Sequence, residues 1–215
     1  MSAILKPVMH WKLPHWIRRI LLPGAAGVDA RLGYEAKLMA AHARTALAGL
    51  QPPPFTAESV RYAPATAQQV HRHISRTLGH LSEDLVVRQR FGLVLLMRGL
   101  LERELRVPLT YTLGYVYQCG QRLYHTPIVG LEQMLLTGIA PGARISLHAW
   151  LTLPSHEVVD LTFWAAFPAF ASEQERIHRG LFMHPSQMAA RSYHPQWVGD
   201  GFVRRIGILK EYEGW

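Results

Sequence analysis

The run "SLHAWLTLPSHEVVDLT", residues 146–162, contains a histidine and an aspartate that could act together in chemistry. His148 and Asp160 each lie in a stretch rich in β-branched and aromatic residues, which is typical of strands. A carboxylate beside an imidazole fixes the imidazole tautomer and favours its charged form. These are the general base and the orienting group of a nucleophilic hydrolase or transferase, and both side chains must share one face of adjoining strands.

The two stretches predict a β-hairpin around "PSH", residues 154–156. Side chains alternate between the two faces of a strand, so the length of the turn decides whether His148 and Asp160 meet. If Leu153 pairs with Glu157 around a three-residue turn, the two side chains become diagonal neighbours with Cα atoms about 7–8 Å apart. A four-residue turn would place them on opposite faces and remove the predicted pair.

The chain contains one cysteine, Cys119, at the end of a predicted strand that begins near Leu109. In an antiparallel sheet the end of one strand lies near the start of the next, and His148 begins the next one. We therefore predict a Cys119–His148–Asp160 triad in which the thiol attacks a carbonyl and His148 transfers the proton. A lone cysteine is also commonly a small buried apolar residue, and this alternative stays open.

Neither a metal nor a cofactor site is indicated by the remaining motifs. The chain has 12 histidines, but His71 and His73 would diverge on a helix and no HExxH motif occurs. One cysteine cannot form a multiple-cysteine metal site. The run "GAAGVDARLG", residues 24–33, precedes a helix without a clear strand before it, so a dinucleotide site is not favoured. We expect no metal and no cofactor.

Composition indicates a folded chain with a sizeable core, since 49% of the 215 residues are apolar and 18% are charged. The net charge of +8 would suit an acidic partner, but the basic residues form no dense cluster beyond Arg18–Arg19 and Arg204–Arg205. Binding of nucleic acid or of a membrane surface, the latter through the aromatic and basic segment around Trp11 and Trp16, is therefore the weaker alternative.

Localisation is predicted from three absences in the sequence. No apolar run reaches the roughly 18 residues of a transmembrane helix. The N-terminus does not follow the pattern of a signal peptide. The single cysteine rules out an intramolecular disulfide and suits a reducing compartment, so we expect a cytoplasmic protein.

The elements that must position the pair follow an α+β order. Helices are predicted over about 29–49, 66–79 and 82–106, the first capped by Asp29 and the third by Ser82. The middle of the third helix, "FGLVLLMRGLL", is apolar nearly all round, which marks a buried central helix. After it we predict a strand over 109–119, a short helix over 127–138, the hairpin, a short helix over about 172–181 and a final strand in "FVRRIGILKEY".

The expected architecture is a helical N-terminal half followed by an antiparallel sheet packed on the buried central helix. We expect an N-terminal helical or irregular extension over 1–65 and an α+β core with a C-terminal extension over 66–215.

The pieces "RVPLTYTLGYV", "HAW" and "DLT", at 106–116, 148–150 and 160–162, together resemble the transglutaminase-like branch of the papain-like cysteine enzymes. That family combines a buried helix opening with cysteine, a "GIP-ry-x-GY" strand, a "HAW" strand and a "DpT" strand. The resemblance covers roughly residues 82–164. It implies Cys-His-Asp chemistry on the amides or thioesters of a protein or peptide, by hydrolysis, deamidation or acyl transfer, with His148 as the base and Asp160 as its orienting group.

One part of the family pattern is missing from the chain. The cysteine that opens the family's buried helix corresponds here to "RQRF", residues 88–91, which contains no Cys, Ser or Thr. Ser82 lies too far upstream, and its capping role explains it. Two functions therefore remain open: a cysteine enzyme that uses Cys119, and a catalytically inactive protein-binding module that has lost its nucleophile.

Overall fold

A computed structural model describes residues 33–139 and 145–209 of the chain. The predicted Asp29 cap, the aromatic and basic N-terminal segment and the last residues of "FVRRIGILKEY" lie outside these ranges. The described residues form helices and a single antiparallel sheet, so the predicted α+β class is confirmed.

Helices dominate the first half of the described chain: α1 (Tyr34–Leu47), α2 (Ala63–Leu78), α3 (Glu83–Arg88) and α4 (Arg90–Leu105). The Ser82 hydroxyl accepts a hydrogen bond from the Leu85 N–H, which confirms the predicted cap. The prediction of one continuous helix over 82–106 is wrong, because the backbone leaves the helical conformation at Gln89. Arg90 donates a hydrogen bond to the Val87 carbonyl across this break. The break makes Arg90 the first residue of the central helix.

Six strands of the described chain form one sheet: β1 (Thr110–Gln118), β2 (Gln121–Leu123), β3 (His148–Thr152), β4 (Val158–Asp160), β5 (Leu181–Met183) and β6 (Arg191–Val198). Every paired set is antiparallel, and β1 pairs with β2, β3 and β6. Strand β6 pairs along most of one edge of β1. Strands β2 and β3 pair with different parts of the other edge. From β3 the sheet continues through β4 to β5.

The chain after β4 differs most from its prediction. Helix α5 (Ile128–Thr137) lies between β2 and β3. After β4 the chain forms α6 (Phe163–Ala166), α7 (Glu173–His178), a 3₁₀ turn and α8 (Gly201–Arg205). The final strand predicted in "FVRRIGILKEY" is wrong where it is described, because this segment forms α8. Phe202 and Val203 are buried in the core, while Arg204 reaches back one turn to Asp200, with Nε and Oδ2 2.7 Å apart. This spacing suits a helix with one apolar face.

The central helix α4 packs on the sheet by one face rather than all round. Phe91, Val94, Met97 and Leu101 recur at helical spacing and are buried against residues of β1 and β3. On another side of the same helix Leu96 is 54% exposed. The prediction of a helix buried on every side is therefore too strong, although the predicted packing of this helix on the sheet is confirmed.

A glycine in β1 allows three strands to meet closely. A methyl group on the Cα of Gly114 would lie 2.1 Å from the His194 carbonyl oxygen and 2.9 Å from the Trp150 ring. The register between β1 and β6 shifts here, since Leu113 pairs with Trp197 whereas Gly114 pairs with Pro195. Such a bulge bends a sheet, and a side chain at this position would force the strands apart.

Helix α1 packs along β6, which in the described chain pairs only with β1. The Arg44 guanidinium donates to the Gln196 carbonyl (2.6 Å), and the Val198 N–H donates to the Thr45 hydroxyl (3.1 Å). These two bonds use backbone groups that the strand would otherwise offer to a further strand. A helix that precedes the boundary predicted at residue 66 thus contacts the last strand of the sheet.

Candidate functional site

Strands β3 and β4 bring His148 and Asp160 into direct contact. The Leu153 N–H donates to the Glu157 carbonyl (2.9 Å), so the connection is a three-residue turn over 154–156. The predicted turn length is confirmed, and with it the placement of both side chains on one face. His148 Nε2 lies 2.7 Å from Asp160 Oδ2, and both side chains are fully buried.

A buried carboxylate in the turn holds the hairpin against helix α2. Glu157 is fully buried and accepts hydrogen bonds from the backbone N–H groups of Tyr62 (2.6 Å) and Ala63 (2.9 Å). The Ser155 hydroxyl donates to the same carboxylate (2.6 Å). Because the first N–H groups of a helix have no partner within the helix, Glu157 caps α2 from a distant part of the chain. The "PSHE" segment therefore sets both the turn and the position of α2.

Four hydrogen bonds satisfy the Asp160 carboxylate. Besides His148, the Tyr193 hydroxyl donates to Oδ2 (2.7 Å), and the N–H groups of Thr162 and Phe163 donate to Oδ1 (3.0 and 3.1 Å). The "D-L-T" motif supplies the Thr162 N–H locally. Burial alone would raise the pKa of Asp160, but the charge and hydrogen bonds of His148, with the other donors, outweigh burial and hold this pKa below its ordinary value. Asp160 is therefore the anion of the pair.

Aromatic rings enclose the His148 imidazole. Tyr124 stacks on it with the ring planes 2° apart and the centroids separated by 5.2 Å. Trp150 and Phe163 approach within 5.9 and 6.0 Å, centroid to centroid. The Nδ1 atom of His148 is buried and has no hydrogen-bond partner among the described residues. This nitrogen is the one that a nucleophile would have to meet, because Nε2 is engaged by Asp160.

The start of α4 reaches this site through Leu147 and Tyr124, and Arg90 occupies it. Its Nε and Nη2 atoms donate to the carbonyls of Leu147 and Ile145, each at 3.3 Å. The guanidinium carbon lies 5.2 Å from the centroid of Tyr124, the ring that stacks on His148. Burial lowers the pKa of Arg90 from its ordinary value. The position expected from the resemblance to hold a nucleophile therefore holds a hydrogen-bonded arginine.

Cys119 does not meet the pair. It is exposed, has a positive φ of 48° and lies in the turn between β1 and β2. His148 pairs with Gly114, and Cys119 lies just past the end of β1; the four residue steps from Gly114 to Gln118 alone span about 13 Å at about 3.3 Å per residue. The structure does not bring Cys119 to the other two residues of the predicted triad, because β2 pairs with the end of β1 and β3 starts beside the middle of β1.

Two tyrosines of the site carry no signal in the sequence. Tyr124 follows β2 with a positive φ of 58°, and Tyr193 lies in β6, a strand that was not predicted. "RSYHPQWV" is interrupted by Pro195 and mixes polar with aromatic residues, which obscures the period of two. Only the fold brings these side chains to His148 and Asp160.

The described histidines do not gather into a metal site. His71 stacks on His178, with the ring centroids 4.4 Å apart, whereas His73 Nε2 lies 3.0 Å from Glu104 Oε2. Burial, followed by the charge of His178, lowers the pKa of His71 to about 4. Within residues 33–139 and 145–209, no three His, Cys, Asp or Glu side chains are grouped as metal ligands. Over the same two ranges, no helix has the length and apolar character needed to cross a membrane.

Comparison of the chain with models of protein families, with curated proteins and with solved structures gives no match in any of the three.

Proposed function

We propose that this chain is a transglutaminase-like module that has lost its nucleophile and acts by binding rather than by catalysis. The observation that carries the proposal is Arg90 at the start of α4, which donates to the Leu147 carbonyl next to His148 and packs on Tyr124, the ring that stacks on His148. The pair, the "HAW" and "D-L-T" strands and a central helix packed on the sheet support the family resemblance. An arginine in place of the cysteine supports loss of the reaction.

Access and distance both argue against catalysis through this pair. A cysteine nucleophile must come within hydrogen-bond reach of its base, about 3 Å, whereas Cys119 lies beyond the end of β1, about 13 Å of strand past the partner residue of His148. The His148 side chain is 0% exposed, so a substrate carbonyl has no path to it in this conformation. The pair instead joins β3 to β4 through a buried, hydrogen-bonded network.

The first test restores a thiol at the start of α4. In a Cys119→Ser background, Arg90→Cys is expected to introduce a thiol whose pKa is at least one unit lower than that of the thiol introduced by Arg88→Cys. A helix N-terminus and a neighbouring imidazole stabilise a thiolate. The control residue, Arg88, has a side chain 67% exposed in an ion pair at the end of α3. Titration of thiolate absorbance near 240 nm measures both values without requiring a reagent to enter the site.

The native cysteine provides the complementary measurement. The rate of Cys119 alkylation by iodoacetamide at neutral pH is expected to be the same in the wild type and in His148→Gln, because the two residues do not meet. A clear drop in this rate on removal of His148 would contradict the binding-module proposal and favour the cysteine enzyme. If the Arg90→Cys thiol titrates like the Arg88→Cys control, the family-like placement of the α4 start is wrong.

A further inference from the structure

The segment between α1 and α2 lies across one end of the sheet. Residues 50–62 of this segment, which contain neither helix nor strand, are called the strap below. The Glu58 N–H donates to the Pro154 carbonyl in the turn between β3 and β4 (2.9 Å). Pro53 Cδ would lie 3.3 Å from a Cβ atom on Gly199, the residue that follows β6. The strap therefore contacts the chain just past the ends of two strands.

Phe55 holds the strap between two histidines. Its ring centroid lies 5.6 Å from that of His42, on α1, and 5.3 Å from that of His156, in the turn between β3 and β4. Phe55 also packs on the small apolar cluster that contains Leu38 and Ala41 of α1, and it is not part of the main core between α4 and the sheet. The apolar anchor of the strap thus has an ionisable ring on either side.

Both histidines have a buried ring nitrogen that forms no hydrogen bond. The Nε2 atoms of His42 and His156 have no partner among the described residues and are closed to solvent. An imidazolium carries a proton on both ring nitrogens, so protonation would place a charged N–H at each position without an acceptor. Such a group is costly to bury. The closed strap therefore suits neutral imidazoles.

The surroundings of the two rings give the sign of the pH dependence. Burial lowers the pKa of His42 and of His156, and the carboxylate of Glu35, on α1, opposes this shift at His156. A histidine with a lowered pKa takes up its proton first in the open state, where the ring is hydrated. Acidification through about pH 6.5, the ordinary value, therefore favours the open strap and removes stability from the closed one.

A third histidine beside the strap shifts in the same direction. Burial, followed by the charge of Arg61 on the strap, lowers the pKa of His184, while Glu157 opposes this shift and His156 adds to it. Arg61 Nη2 donates to the Ser186 hydroxyl (3.3 Å), so the end of the strap is tied to the 3₁₀ turn that follows His184. Protonation of His184 would place a further positive charge next to Arg61 and His156.

We infer that the strap is a pH-sensitive latch, closed over the turn between β3 and β4 at neutral pH and released when His42 and His156 become protonated. Release separates the Glu58 N–H from the Pro154 carbonyl and exposes Phe55 with the apolar side of α1 on which it packs. The sheet and α4 stay folded, because their core does not include Phe55. This inference goes beyond the proposed binding function and holds whether or not that proposal does.

Hydrogen exchange of the full chain, resolved by NMR at about pH 7.5, 6.5 and 5.5, tests the latch. Each rate is divided by that of an unstructured chain at the same pH, which gives a protection factor. The protection of the Glu58 N–H is expected to fall about tenfold from the highest to the lowest pH, while amides of β1 and β3 keep theirs. Constant protection of Glu58 would overturn the inference. So would a rise, which attraction of imidazolium to the Phe55 ring would cause, or an equal loss in β1 and β3.

Histidine variants assign the effect to the two rings on Phe55. The double variant His42→Gln/His156→Asn is expected to keep the same Glu58 protection at all three pH values. Asparagine suits position 156, where φ is 65°. The matched control, His80→Gln, removes an exposed histidine and is expected to retain the wild-type fall. A full fall in the double variant, or loss of the fall in His184→Gln alone, would overturn the assignment to His42 and His156.

An exposed carboxylate provides a second variant that leaves the buried contacts intact. Glu35→Gln removes the negative charge that raises the pKa of His156, so the fall in Glu58 protection is expected to move to lower pH. Glu83→Gln, which removes an exposed carboxylate from α3, is the matched control and is expected to leave the midpoint unchanged. An unchanged or higher midpoint in Glu35→Gln would overturn the role of His156 in the latch.

Discussion

Replacing Asp160 with alanine is expected to lower the free energy of unfolding by about 3–5 kcal/mol, because it breaks a fully buried, hydrogen-bonded pair and leaves its partners behind. His148 would lose its carboxylate, and the Tyr193 hydroxyl and two backbone N–H groups would lose their acceptor. Denaturant unfolding followed by tryptophan fluorescence measures the change. The matched control is Asp84→Ala, which removes an exposed carboxylate from an ion pair with Arg88 and is expected to cost no more than about 0.5 kcal/mol.

The conservative variant Asp160→Asn removes the negative charge of the side chain and keeps its shape. Asparagine keeps an acceptor for the two N–H groups, so we expect it to be less destabilising than alanine at neutral pH. A loss below about 1 kcal/mol in Asp160→Ala would show that the network contributes little to stability.

Acid sensitivity follows from the same carboxylate. The pKa of Asp160 lies below its ordinary value in the folded protein, so the unfolded chain takes up this proton first as pH falls. The stabilisation is therefore complete above about pH 4, near the unfolded value, and is lost at lower pH. In unfolding measurements between pH 7 and pH 3, we expect Asp160→Asn to lose less stability than the wild type below about pH 4.

Loss of the Glu157 carboxylate is expected to be the second large effect, with Glu157→Ala lowering the free energy of unfolding by about 2–4 kcal/mol. The substitution leaves the N–H groups of Tyr62 and Ala63 at the start of α2 without their acceptor. Because the Glu157 side chain is fully buried, water does not reach the carboxylate position. Relative to the wild type, Glu157→Ala should accelerate hydrogen exchange more in the first turn of α2 than in α4.

An exposed glutamate provides the control for Glu157. Glu83→Ala removes a carboxylate from the first turn of α3 at an exposed position, and its effect is expected to stay within about 0.5 kcal/mol. Similar losses in the two variants would mean that Glu157 acts as an ordinary surface charge rather than as a cap. Glu157→Gln, which keeps one amide oxygen as an acceptor, should lie between the wild type and Glu157→Ala.

The hairpin was the part of the site that local sequence could predict. Alternation of side chains and the length of "PSH" are local properties, and they were sufficient to place His148 beside Asp160. The Ser82 cap was predictable for the same reason. Position along the chain alone could not place Cys119 relative to His148. Local sequence does not show that β2 pairs with the end of β1 and that β3 pairs with its first half.

The remaining parts of the site depend on long-range contacts. Tyr193 reaches Asp160 only because β6 returns to β1, and Pro195 obscures that strand in the sequence. Arg90 was located by the resemblance as part of "RQRF", yet its bonds to the carbonyls before β3 come from packing between distant segments. Such contacts follow from the assembled sheet, and neither propensity nor periodicity encodes them.

The packing of α1 on β6 bears on how copies of this protein behave towards one another. An uncovered edge strand offers its backbone groups to any neighbouring chain and promotes self-association. Arg44 and Thr45 occupy the Gln196 carbonyl and the Val198 N–H, so the helix keeps the end of the sheet from serving as a template. The residues before the sheet therefore contribute colloidal stability: a fragment that began at residue 66 would keep every strand of the described sheet but would expose an edge prone to aggregation.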